Sequence, residues 1–249
     1  KGFCVLDRPN PIGGVAVEGG PIAEEAASFV GGYGLPVRTG LTVGEYARAL
    51  QGAYFVQARV EVIPMRGWRR PMFFEATGLP WLAPSPNIPT VAAALVYPGT
   101  CLFEGTNLSE GRGTTRPFET IGAPWIDGER LREALQGMNL PGVTFCSTFF
   151  CPTFSKHKGE SCQGVVLHVS DRERFRPLRT ALAMLTVVKR DYRERFEWRP
   201  DWEGNFSFVD KLAGGRWLRD LIDAGKRLDE VYARACEGQQ RFEATRARC

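Results

Sequence analysis

The chain has 249 residues, 43% hydrophobic and 24% charged, with 32 Lys and Arg against 28 Asp and Glu for a formal net charge of +4. That is the composition of an ordinary globular protein of one large or two small domains, able to bury roughly 70–75% of its unfolded surface. The basic residues are interspersed with acidic ones, which argues against a dedicated nucleic-acid binder, and no run approaches the roughly 18–20 apolar residues of a membrane span.

Phe3 to Leu6 reads as a buried strand met in mid-stream, with neither Met nor a signal-peptide pattern before it. The expectation is that an N-terminal portion lies outside this chain. The strand runs into Asp7-Arg8-Pro9-Asn10-Pro11-Ile12-Gly13-Gly14, whose prolines and glycines force a sharply turned loop. A charged Asp7-Arg8 pair at a strand end suits a site position in an α/β protein and equally a pair that pins the turn. Thr42 and Glu45 have capping-box spacing ahead of a helix through Leu50, with Tyr46, Ala49 and Leu50 on one face. Residues 58–64 alternate as a half-buried strand. Connections at 66–70 and 81–87 are rich in Trp and Pro; such flat aromatic faces suit pyranose rings as well as a core.

Pro89 to Tyr97 predicts a helix with Pro in its first turn, and Thr100 to Phe103 predicts a strand that delivers a glycine-rich segment. A helix is expected over 127–138, with Leu131, Ala134 and Leu135 on one side, and strands over 143–150 and 162–169. Past Asp171 the pattern turns helical. Leu178, Ala181, Leu182, Leu185, Val188 and Tyr192 recur at helical spacing. Residues 206–224 read as one or two short helices broken at Gly214-Gly215, and Leu228, Val231, Tyr232 and Ala235 mark a last amphipathic helix. The expected fold is α/β with α+β character, a mixed sheet with flanking helices and a helical end.

The densest chemistry lies in residues 102–119, where Glu104, Glu110 and Glu119 stand with Arg112, Arg116 and three glycines. Thr106, Asn107, Ser109, Thr114 and Thr115 supply the remaining hydrogen-bonding types that a polar ligand demands. Glycines permit close approach of backbone to ligand, and loops carry function disproportionately; an ordinary exposed loop is the alternative. Seven cysteines include Cys146, Cys151 and Cys162, with His157 and His168 nearby, but the paired spacing of a zinc site is absent. Free buried thiols or one disulfide are expected, with no metal. No phosphate-binding G-x-x-x-x-G-K-[ST] or strand-coupled G-x-G-x-x-G occurs, so no nucleotide cofactor is expected.

Three motifs in order then resemble one family. They are residues 6–14, Pro84-Ser85-Pro86-Asn87-Ile88-Pro89, and Glu104-Gly105-Thr106-Asn107-Leu108-Ser109-Glu110-Gly111-Arg112-Gly113-Thr114-Thr115, joined by Gly122-Ala123-Pro124-Trp125 and Cys162-Gln163-Gly164. The family is the NamZ-like exo-β-N-acetylmuramidases, long catalogued as a domain of unknown function, and the resemblance covers essentially the whole chain. It implies removal of N-acetylmuramic acid from non-reducing ends of peptidoglycan fragments, at the cell envelope or beyond it. It also implies a Rossmann-like N-terminal domain packed on a C-terminal domain, with the sugar between them. On this resemblance residues 1–14 are the last strand and loop of a Rossmann-like domain mostly absent from the chain. Residues 15–249 are then the C-terminal α+β domain. The absent domain, in cis or as a separate chain, is the expected partner, beside the peptidoglycan-derived saccharide.

Glycoside hydrolysis generally uses two carboxyl groups. Glu110 is the first candidate, kept ionised by Arg112 for a base or stabilising role, and Glu104 is the second, with capping of the next turn as its alternative. Arg112 and Arg8 are candidates to clamp the lactyl carboxylate of N-acetylmuramic acid, which a planar bidentate donor suits. Asn10, Asn87, Thr106 and Asn107 suit sugar hydroxyls and the acetamido group, and Asp7, Ser109 and Thr114 complete the candidate binding set. Substrate-assisted attack by the acetamido oxygen would need one protein acid, and the sequence leaves that route open. The alternative function is a non-catalytic envelope protein that keeps the loop to bind carbohydrate or to assemble.

Overall fold

A computed structural model describes residues 2–200 and 207–247. Strand β1 (Gly2–Leu6) pairs in parallel with β2 (Arg59–Ile63), from Gly2 opposite Arg59 to Leu6 opposite Ile63. Parallel neighbours need a crossover, and helix α1 (Val43–Ala53) supplies it. The predicted capping box starts α1: Thr42 Oγ1 accepts from the Glu45 amide at 3.2 Å, and Glu45 accepts from the Thr42 amide at 2.9 Å. Phe3 and Leu6 on β1, expected to be buried, are exposed, as is Ile63 on β2.

The larger part is built on an antiparallel sheet of β3 (Thr120–Ala123), β4 (Val143–Phe150) and β5 (Cys162–Val169), in the order β3-β5-β4. Helix α2 (Val91–Thr100) packs on α4 (Pro177–Asp191), and α3 (Gly128–Gln136) packs on β4 and β5. Asp127 caps α3 by accepting from the Glu129 and Arg130 amides. In the ladder Gly122 faces Gly164, and a Cβ on Gly164 would stand 2.1 Å from the Ile121 carbonyl oxygen. The core gathers Phe103, Leu108 and Phe118 with Ile121 of β3, Leu131 and Leu135 of α3, and Leu182, Met184 and Leu185 of α4. Four shorter helices close the fold: α5 (Phe208–Ala213), α6 (Trp217–Asp223), α7 (Leu228–Ala235) and α8 (Gln239–Arg246). The break at Gly214-Gly215 falls where expected, and Phe206 lies outside the described residues. None of the helices among the described residues is long and apolar enough to cross a membrane.

Two expectations are corrected. Residues 100–103 form no strand: Thr100 ends α2, donating to the Val96 carbonyl, and Cys101–Gly105 continues as a 3₁₀ turn. A short apolar run does not distinguish strand from buried helix by itself, and here helical packing decided. Helix α8 was missed because it has no apolar stripe; Phe242 is its buried residue, beside Val17 and Leu41. Arg246 ties α8 down by donating to the carbonyls of Gly14 and Val15. Six described cysteines are free, with Cys101 and Cys162 buried; Cys249 lies outside the described residues.

Glu18 joins the two parts. Helix α4 has no local side-chain cap, and buried Glu18 takes that place: its Oε1 accepts from the Arg179 amide at 3.0 Å and from the Tyr232 hydroxyl at 3.3 Å. Burial raises its pKa although backbone donors and Arg38 oppose the shift. Stability from this group is therefore fully present below the unfolded carboxyl pKa and is lost as pH rises through the raised folded value. The melting temperature of the native chain should lose its margin over Glu18→Gln as pH rises from 4 toward 7. A constant or widening gap in thermal scans across that range would contradict the assignment.

Candidate active site

Residues 101–119 form a buried loop, not an exposed one. Leu102, Phe103, Leu108 and Phe118 are anchored in the core. Most of the polar side chains then satisfy the loop's own backbone. Thr106 Oγ1 donates to the Phe103 carbonyl at 2.9 Å, and Ser109 Oγ accepts from the Gly111 amide at 3.1 Å. Thr114 Oγ1 donates to the Gly111 carbonyl at 2.6 Å, and Asn107 bridges the Arg195 carbonyl and the Glu197 amide. Gly111 makes the turn at φ +76°, where a Cβ would stand 2.8 Å from the carbonyls of Arg116 and Thr120.

The first loop behaves similarly. Asp7 caps α1, accepting from the Gly44 amide at 2.8 Å and from the Thr42 hydroxyl at 3.0 Å. Asn10 closes an Asx turn onto the Ile12 amide and donates to the Leu41 carbonyl. The structure thus commits Asp7, Asn10, Thr106, Asn107, Ser109 and Thr114 to internal hydrogen bonds. The Arg8 guanidinium is exposed and has no side-chain partner among the described residues. Asn87 sits in the Ser85 turn, apart from the cavity that follows.

The loop contributes one ion pair to a cavity. Glu104, on the 3₁₀ turn, and Arg112 line a cavity of about 490 Å³ walled by Phe29, Leu35, Tyr46 and Tyr97. Among the described lining residues Glu104 is the only carboxylate and Arg112 the only cation. A mostly apolar pocket with a few convergent polar groups is the usual form of a small-ligand site. Arg112 Nη2 donates to Glu104 Oε2 at 2.8 Å, while Arg112 Nε meets Glu110 Oε1 at 3.0 Å. The guanidinium also lies over the Phe118 ring, 4.9 Å from its centroid.

Glu110 stands behind this pair. It is 2% exposed and is not among the cavity residues. Its second oxygen meets Lys156 Nζ at 2.6 Å. Burial raises the pKa of Glu104, outweighing the opposing pull of Arg112, and it pushes the Tyr97 hydroxyl up to about 12. A cavity-facing acid that holds its proton more tightly than usual is fitted to donate one. Lys156 was missed from the sequence. It comes from the loop between β4 and β5, far along the chain, and one Lys in a polar hairpin loop carries no local signal. Among the described residues no group of three or more His, Cys, Asp or Glu is placed to hold a metal ion.

The site is thus an α/β scaffold with an acid–guanidinium pair lining a mostly apolar cavity. The sequence profile described as exo-β-N-acetylmuramidase NamZ, C-terminal, matches residues 95–249, and the corresponding N-terminal profile matches residues 1–92. The chain belongs to the NamZ exo-β-N-acetylmuramidase family. It is 46% identical over 244 residues to the peptidoglycan β-N-acetylmuramidase NamZ of Bacillus subtilis (strain 168), covering 98% of this chain and 58% of that protein.

Two crystal structures of DUF1343 family proteins from Bacteroides fragilis share the fold. One has a TM-score of 0.90 at 32% identity and the other 0.73 at 29%. These cover 100% and 99% of this chain, and 65% of each of those chains. The chain therefore spans less than two-thirds of the length of these relatives. Residues 1–92 already match the N-terminal profile, so the expected partner, a mostly absent N-terminal domain in cis or as a separate chain, is not supported.

Proposed function

We propose that the cavity is a glycosidase site that removes N-acetylmuramic acid from non-reducing ends of peptidoglycan fragments, with Glu104 as proton donor. The observation that carries this reading is the Glu104–Arg112 pair lining the cavity. Burial keeps the Glu104 carboxyl protonated to higher pH, as a donor to a leaving glycosidic oxygen requires. Arg112 commits Nε to Glu110 and Nη2 to Glu104, which leaves Nη1 for a substrate carboxylate. The lactyl group of N-acetylmuramic acid is that carboxylate, and N-acetylglucosamine lacks it. Tyr46 and Tyr97 offer flat walls to the C–H face of the ring. Family membership and the Bacillus relative's printed activity support the same substrate class. The place of action is the cell envelope, where the polymer lies.

The test is turnover of a chromogenic β-N-acetylmuramic acid glycoside by the complete protein, beside the N-acetylglucosamine analogue. Release confined to the muramic substrate is expected. Sugar binding without release, from folded protein, would replace the enzyme by a carbohydrate-binding envelope protein. In the same assay Arg112→Lys should raise KM for the muramic substrate by roughly ten- to a hundredfold, because an ammonium cannot hold Glu104, Glu110 and the substrate carboxylate in the fixed geometry that a guanidinium gives. Unchanged selectivity in that variant would remove Arg112 from carboxylate recognition.

A further inference from the structure

We infer that Lys156 is a positioning residue for this cavity: by holding the buried Glu110 carboxylate and the turn that carries Glu104, it keeps Arg112 extended toward Glu104 and the ligand. The inference rests on the reading of the cavity as a saccharide site. Lys156 Nζ donates to the Phe103 carbonyl at 2.7 Å and the Thr106 carbonyl at 2.9 Å, and it forms an ion pair with Glu110 Oε2 at 2.6 Å. The two carbonyls bracket Glu104, so Lys156 fixes both ends of the short backbone segment that aims the acid. The neighbouring His157 docks on the same segment, 2.7 Å from the Asn107 carbonyl. The side chains form an alternating row from the interior to the cavity: Lys156, Glu110, Arg112, Glu104.

That order has a consequence for Arg112. A buried carboxylate must be paired on both oxygens, and Lys156 takes the one that Arg112 does not. Without Lys156 the nearest cation is Arg112, and a guanidinium readily gives two parallel N–H bonds to one carboxylate. It would then turn inward to Glu110 and away from Glu104 and the ligand. The other titratable groups around Glu104 are Tyr97 and Cys101, both on the α2 side, while the charge of Arg199 opposes that of Lys156. Tyr97 and Cys101 are both held neutral by burial, so neither replaces the missing cation.

The experiment compares Lys156→Met, Lys156→Arg and the double variant Lys156→Met/Glu110→Gln in the complete protein. It reads the pH profile of kcat/KM, the muramic-to-glucosamine selectivity, and the ¹³C carboxyl titration of Glu104, assigned by its loss in Glu104→Gln. In Lys156→Met the Glu104 midpoint and the alkaline limb should move up by about one pH unit, as loss of an opposite charge requires. KM for the muramic substrate should rise roughly tenfold. Lys156→Arg should restore both, and the double variant should move back toward the native profile because the demand on Arg112 is gone.

A Lys156→Met protein with lower kcat or melting temperature but an unmoved limb and selectivity would make Lys156 a structural staple only. A double variant with its midpoint displaced as far as the single would overturn the inference even if the single variant folds poorly. Absence of turnover by the native protein would sink the glycosidase reading instead, and the carboxyl titration would still decide the role of Lys156.

Discussion

Glu104→Gln is expected to lower kcat/KM for a muramic glycoside by about two to four orders of magnitude, the usual worth of a positioned proton donor. The substitution is nearly isosteric. Gln presents an oxygen to Arg112 Nη2 where Glu104 Oε2 now accepts at 2.8 Å, so the loop and the cavity should persist. Melting temperature and affinity for free N-acetylmuramic acid should therefore stay close to native while turnover collapses. The native pH profile supplies a second check. Burial raises the Glu104 pKa, and a proton donor works in its acid form, so activity should fall as pH rises through that value. The residual activity of Glu104→Gln should lack that alkaline limb. Native rates in the variant, or an unchanged limb, would take the proton donor's role away from Glu104.

The largest effect on stability is expected from Glu110→Ala. Glu110 is buried and paired with Arg112 at 3.0 Å and Lys156 at 2.6 Å. Its removal leaves the Lys156 ammonium, with a tenth of its side chain exposed, without its anion. Breaking one partner of a buried pair costs about 3–5 kcal/mol, which for a chain of this size lowers the melting temperature by roughly 10 °C. Glu119→Ala is the comparison. Glu119 is also buried, but its partner Arg116 keeps 40% of its side chain exposed and can return to water. That change should cost about 1 kcal/mol. Thermal or urea unfolding of both variants decides it, and equal losses would mean that Lys156 finds other solvation when Glu110 is absent.

The pair that lines the cavity was legible in part. Glu104 and Arg112 stood out because both sit in a polar run that no apolar core requires. Their order was not. Glu110 stood in the densest part of the run and was ranked first, yet the loop turns at Gly111 and folds Glu110 inward behind Arg112. Thr106, Asn107, Ser109, Thr114 and Asn10 were candidates for ligand contacts by residue type, and Asp7 by its place at a strand end, with pinning of the turn as its equal alternative. The fold instead gives them to amides and carbonyls of their own loops or of neighbouring segments. A polar side chain in a buried loop faces a backbone that must be satisfied, and that demand precedes any ligand.

Local chemistry, readable residue by residue, determined much of this protein. The Thr42–Glu45 capping box, the bounds of β4 and β5, the apolar stripe of α4 and the glycine break before α6 all depend on neighbours within a few positions. The resemblance to the muramidase family, carried by motifs along the whole length, was equally present in the sequence. Tertiary structure alone decided the helical state of residues 100–105, the docking of α8, the capping of α4 by Glu18 and the row from Lys156 to Glu104. For Glu18 and for α8 the deciding partner is remote: Glu18 and Arg179 are 161 positions apart, and Arg246 and Gly14 are 232. Sequence patterns record short-range preferences, whereas burial, pairing of charges and closure of a cavity exist only after distant segments are brought together.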